Sequence, residues 1–65
     1  MIYFNLKKAI LKNGLKQNFI AKKIGIDPAT FSKKLNGYMR FSNDEKQQIG
    51  AILRMPIYNL FQTED

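Results

Sequence analysis

Between Gly25 and Pro28 the chain must end one helix and begin another. Upstream, Ile20, Ala21 and Ile24 recur on one face from about Gln17, and Gly25 follows where a left-handed helix cap sits. Asp27-Pro28 is then a start signal, because the carboxylate can accept hydrogen bonds from first-turn amides and Pro at the first helical position sacrifices no donor. Phe31 and Leu35, four residues apart, form the buried side of the next helix, which Asn36-Gly37 ends. Ala21 is small enough to let the two helices approach, and Ile20, Ile24, Ile26 and Phe31 fill the space between them.

The same logic divides the rest of the chain. Ile2, Leu6, Ala9 and Ile10 predict a helix over about residues 3–12, with Lys7, Lys8 and Lys12 facing outward and Asn13-Gly14 as its stop. Tyr38 to Phe41 reads as a short connection. Ser42-Asn43-Asp44-Glu45 is a capping box, followed by a helix with Ile49, Ile52 and Leu53 as its apolar stripe. Gly50 within it would cost about 1 kcal/mol relative to Ala, which marks a close helix crossing. Met55-Pro56 ends that helix, a last turn or two holds Ile57, Leu60 and Phe61, and residues 62–65 form a polar tail. No alternating strand pattern, repeat or linker is visible. The expected fold is all-α, a compact bundle of about five short helices in a single domain over 1–65. A chain of 65 residues buries only about 60% of its unfolded surface. With neither Cys nor His, it lacks disulfide staples and zinc-finger ligands, so its core stands alone at about 3–5 kcal/mol.

Eleven Lys and Arg against five Asp and Glu give a formal charge of +6. The excess lies in the N-terminal half, where Lys7 to Lys34 holds eight lysines and the single acid Asp27. Such asymmetry suits a polyanionic partner, although lysines also keep small domains in solution. No stretch approaches the apolar length of a membrane span, Met1 to Leu6 is too short for a secretory signal, and the apolar positions of a surface-lying helix at Met1 to Lys12 are those a core helix needs. The expected compartment is the cytoplasm. Without His, Cys or a Gly-rich phosphate loop, and with clustered carboxylates only at Asp44-Glu45 and Glu64-Asp65, the chain is not expected to be an enzyme or to take a metal, cofactor or small-molecule ligand.

From Leu15-Lys16-Gln17 to Asn36-Gly37, and on through the capped helix to Ile57 and Phe61, the sequence resembles the helix-turn-helix family of the Cro and lambda-type phage repressors (Xre-like). The tokens are Gln17 opening helix two, Ala21-x-x-x-Gly25-Ile26 across the turn, and Phe31-x-x-x-Leu35-Asn36-Gly37 closing the third helix. The resemblance implies a lambda-repressor-like domain whose helices two and three form the motif, acting as a homodimer on an inverted-repeat operator in double-stranded DNA and regulating transcription as a Cro-like repressor. The helix at about 28–35 would enter the major groove.

The DNA-facing residues implied are Lys16, Gln17, Asn18, Pro28, Ala29, Thr30, Ser32, Lys33, Lys34, Asn36, Tyr38 and Arg40. Pro28 and Ala29 stand where members often place Gln or Ser. Pro28 offers no side-chain hydrogen bond and Ala29 only apolar contact to a thymine methyl, which leaves Lys33 as the principal base reader, with Thr30 beside it. Gln17 and Asn36 look like phosphate clamps at the two ends of the motif. The structural alternatives are that Gln17 and Asn36 cap helices and that Ser32 and Lys34 are solvated. Phe19 points off the core face, either as an interaction anchor or folded back over a neighbouring helix to complete the core, the latter preferred. Leu60 and Phe61 are expected in the core, and Ile57 and Tyr58 at a two-fold interface. The competing function is a helix-turn-helix-fold interaction module, an antirepressor, antitoxin or inhibitor that binds a protein. RNA binding ranks lower because no aromatic-studded sheet is present.

Overall fold

Three glycines close three helices by the same pair of hydrogen bonds. In a computed structural model describing residues 2–62, the elements are α1 (Phe4–Lys12), α2 (Gln17–Lys23), α3 (Pro28–Leu35), α4 (Asn43–Leu53) and α5 (Ile57–Leu60), with no strand among the described residues. At the end of α2, Gly25 N–H donates to Lys22 O (3.2 Å) and Ile26 N–H to Ala21 O (2.9 Å). This is a Schellman closure, and it requires the positive φ of 76° that Gly25 adopts. Equivalent pairs close α1 at Gly14 and Leu15, and α3 at Gly37 and Tyr38. At the other ends, Asp27 Oδ2 accepts from Ala29 N–H at 3.0 Å, and Ser42 and Glu45 complete a reciprocal capping box.

The helices bury one continuous core of Leu6, Ala9, Ile10, Ile20, Ala21, Phe31, Leu35, Phe41, Ile49, Leu53 and Leu60. The Cα radius of gyration, 10.4 Å, matches the value of about 11 Å for a compact chain of this length. Among the described residues no helix is long and apolar enough to cross a membrane.

Phe41 gives the segment after α3 a larger role than a connection. It is 5% exposed and lies edge-to-face with Phe31, Tyr3 and Phe61 at ring-centre distances of 5.8, 5.5 and 5.2 Å. This hub joins the start of the chain, α3 and the end of α5, and such pairs add about 0.5–1.5 kcal/mol each beyond area burial. Leu60 is fully buried and Phe61 half-buried, as expected for core residues.

Gly50 does mark a close approach: a Cβ there would stand 3.2 Å from Met55 O and 3.3 Å from Ile57 Cγ1. Just beyond it, Arg54 adopts φ 55°, ψ 44°, the left-handed conformation that glycine takes at the other three helix ends. Lys7 corrects the outward-facing expectation, since it is half-buried and bonded across to the residue after α3. Of the expected polar tail, Gln62 is exposed, and residues 63–65, with Glu64 and Asp65, lie outside the described residues.

Candidate nucleic-acid interface

α3 is fully buried on one side and open on the other. Phe31 and Leu35 have no exposed surface, which fixes the rotation of the helix and turns Ala29 and Lys33 to solvent, with Thr30 and Ser32 half-buried at the margins and Pro28 exposed at the helix start. α2 packs against α3 across the Gly25 turn, burying Ile20 and Ala21. Lys16 just before α2, Gln17 and Asn18 in its first turn, and Lys22 and Lys23 at its end are exposed. Gln17 sits in the first turn of α2 after Lys16, which makes no side-chain cap hydrogen bond, so helix capping is not the role the fold gives Gln17.

Not every implied contact shares this surface. Lys34 Nζ lies 2.7 and 2.8 Å from the two carboxylate oxygens of Glu45, with only 12% of its side chain accessible. It is directed at α4 rather than outward, and it is neither a solvated charge nor grouped with Lys33. Burial works to raise the Glu45 carboxyl, but the Lys34 ammonium and the amide and hydroxyl of Ser42 outweigh it and hold the group below its ordinary value.

Asn36 is engaged on both sides of its amide: Nδ2 donates to Ser32 O at 2.9 Å, and Oδ1 accepts from Lys7 Nζ at 2.8 Å. The first bond closes the end of α3, as the capping alternative expects. Tyr38, 83% exposed, and Arg40, also exposed, follow in the connection. Arg40 borders an open depression of about 420 Å³ together with Tyr3, Gly37, Met39, Phe41 and Lys46.

Phe19 overturns the preferred expectation that it completes the core. It is 44% exposed, and Lys23 Nζ lies 5.8 Å from its ring centre on the same outer side of α2. Ile57 and Tyr58 separate: Ile57 is half-buried facing Gly50, whereas Tyr58 is 78% exposed. Both lie on α5, which packs on α1 and α4.

Besides the Lys34–Glu45 pair, sequence reasoning misses Lys7 and Phe41. Lys7 meets Asn36 across 29 residues, a separation for which no local signal exists. Phe41 has one, an apolar side chain immediately before the Ser42 cap, a position that often packs back on its helix. Comparison with known proteins gives no matching family model, no matching curated protein and no matching solved structure, so the reading of this surface rests on its own geometry.

Proposed function

We propose that the protein is a sequence-specific double-stranded DNA-binding transcriptional regulator, a Cro-like repressor in which α2 and α3 act as a helix-turn-helix. α2 spans the backbone and α3 lies in the major groove. The observation that carries this reading is the outer face of α3, with Ala29 and Lys33 exposed on a helix whose opposite side is fully buried, preceded in the chain by the exposed Lys16, Lys22 and Lys23. Few acids offset these cations: Asp27 is the single acid between Lys7 and Lys34, and Glu45 is paired with Lys34. Lys33 donates to guanine O6 and N7, Ala29 meets a thymine methyl, and Lys16, Gln17, Asn18 and Arg40 hold phosphates. With few base-reading side chains, DNA shape supplies part of the specificity.

The operator is an inverted repeat read by a homodimer with half-sites about 34 Å apart. Domains measuring 29 × 23 × 20 Å between Cα extremes suit that spacing. Tyr58 and Ile57 on α5 are the proposed two-fold contacts. Sedimentation that stays monomeric at high concentration, both free and on DNA, removes the dimer.

The test is binding to genomic fragments and to random duplex across a salt series, with bound fragments sequenced. An inverted repeat bound about a thousandfold better than random DNA is the expected result. Weak, uniformly salt-sensitive binding rejects the specific regulator. Phe19 favours one second reading, that the fold binds a protein as an antirepressor, antitoxin or inhibitor, because its exposed ring is the kind of residue that anchors interfaces.

A further inference from the structure

The C-terminal end of α3 is electrostatically unsuited to an approaching phosphate. Its last carbonyls present the negative end of the helix dipole, and an anion there needs a cation to offset them. Asn36 has no charge, its Nδ2 already donates to Ser32 O, and its Oδ1 is an acceptor. The cation at this point is Lys7, whose Nζ lies 2.8 Å from Asn36 Oδ1.

Lys7 reaches that position from another helix. The amide of Tyr3 donates to Leu35 O at 3.2 Å, which pins the start of α1 to the last residue of α3 and brings Lys7, one turn further on, level with Asn36. An ammonium group has three N–H donors, and Asn36 takes one of Lys7's. Lys7 is half-buried, next to an Asn36 that continues the Ser32–Lys33 side of α3 beyond its last residue. A cation held by an amide at the end of an exposed helix face, with donors remaining, is arranged to receive an oxyanion.

We propose that Lys7 is a phosphate-contacting residue of the DNA interface, positioned by Asn36 at the C-terminal end of α3. This inference rests on the DNA-binding reading above. In that arrangement Asn36 acts chiefly through Lys7, and the duplex backbone is gripped by three helices, α1 included.

The test measures affinity for one random duplex and one selected fragment from 50 to 200 mM salt, for the wild-type protein, Lys7→Met and Lys7→Arg. Each phosphate contact contributes a slope of about 0.9 in log affinity against log salt. Lys7→Met is expected to lower the slope by about that amount on both duplexes and to weaken binding several-fold at 50 mM, while Lys7→Arg keeps the wild-type slope. Helical circular dichroism and a thermal midpoint identify a variant that fails to fold, and Lys7→Gln, which keeps an amide donor without the charge, then takes its place with the same expected slope. A Lys7→Met or Lys7→Gln slope equal to wild type, on a wild-type protein that binds duplex, overturns the Lys7 contact and leaves the DNA reading standing. A wild-type protein showing no salt-dependent duplex binding overturns both.

Discussion

Glu45 holds Lys34 through both carboxylate oxygens while its Oε1 also accepts the Ser42 amide at 2.8 Å. One side chain therefore completes the α4 cap and ties α4 to the last turn of α3. Lys34 Nζ also lies 6.0 Å from the centre of the Phe41 ring, so the ion pair sits against the aromatic hub. The orientation of α3 relative to the rest of the bundle depends on this junction as well as on Phe31 and Leu35.

Replacing Glu45 with Gln leaves the largely buried Lys34 ammonium without its counter-charge and is expected to destabilise the fold by about 1–3 kcal/mol. Because the folded carboxyl is held below its ordinary value of 4.5, its contribution is complete above that value and is lost as pH falls through the lowered folded one. Thermal midpoints measured from pH 7 to pH 3 should fall less steeply at the acid end in Glu45→Gln than in wild type. Parallel curves contradict the assignment.

Arg54 and Gly25 form a matched pair of backbone experiments. A non-glycine residue in the left-handed region costs about 1–2 kcal/mol, against which glycine loses roughly 0.5–1 kcal/mol in chain entropy. Arg54→Gly is therefore expected to raise stability by up to about 1 kcal/mol in denaturant titration. Gly25→Ala goes the other way by about 1 kcal/mol, and since nothing lies within 4 Å of the added Cβ, the loss reports conformation alone.

Phe41→Ala removes the ring shared by three edge-to-face contacts and is expected to cost about 3–5 kcal/mol, comparable to the whole stability of so small a domain. Phe41→Leu keeps an apolar side chain and part of the volume without the ring and should leave a folded, less stable protein. A cooperative melt retained near the wild-type midpoint in Phe41→Ala rules out the hub.

At the proposed DNA surface, Lys33→Ala is expected to cost about 1–3 kcal/mol on the selected site and to relax preference at one base pair, whereas Arg40→Ala is expected to weaken all sequences alike and to lower the salt slope by about one. Quantitative binding to the selected fragment and to its single-base variants separates the two. Equal losses on specific and random DNA for Lys33→Ala exclude base reading by that residue.

Signals contained within about one helical turn were legible in the sequence. Gly25, Asp27-Pro28 and the Ser42–Glu45 box lie beside the groups they satisfy, so the helices fell within a residue or so of expectation. The outward set of α3 followed because Phe31 and Leu35 fix its rotation. Pairings between helices were not legible: Lys34 meets Glu45 across 11 residues and Lys7 meets Asn36 across 29, and neither separation leaves a periodic trace. Phe19 was misjudged because an aromatic side chain is equally suited to core and surface, and its neighbours on α2 already completed the inward face. Arg54 gave no warning, since its position is one where glycine is the expected residue.

The bond from the Tyr3 amide to Leu35 O has a kinetic meaning. Outside the regular helices, it is the one backbone hydrogen bond among the described residues that joins distant parts of the chain; the others span five residues or fewer. Helix ends that close locally incur little loop-closure entropy, which places the protein among fast-folding topologies in the microsecond to millisecond range. The Tyr3 amide proton then distinguishes a chain that has formed its helices from one that has docked them, and its exchange with solvent is a single-site clock for assembly of the bundle.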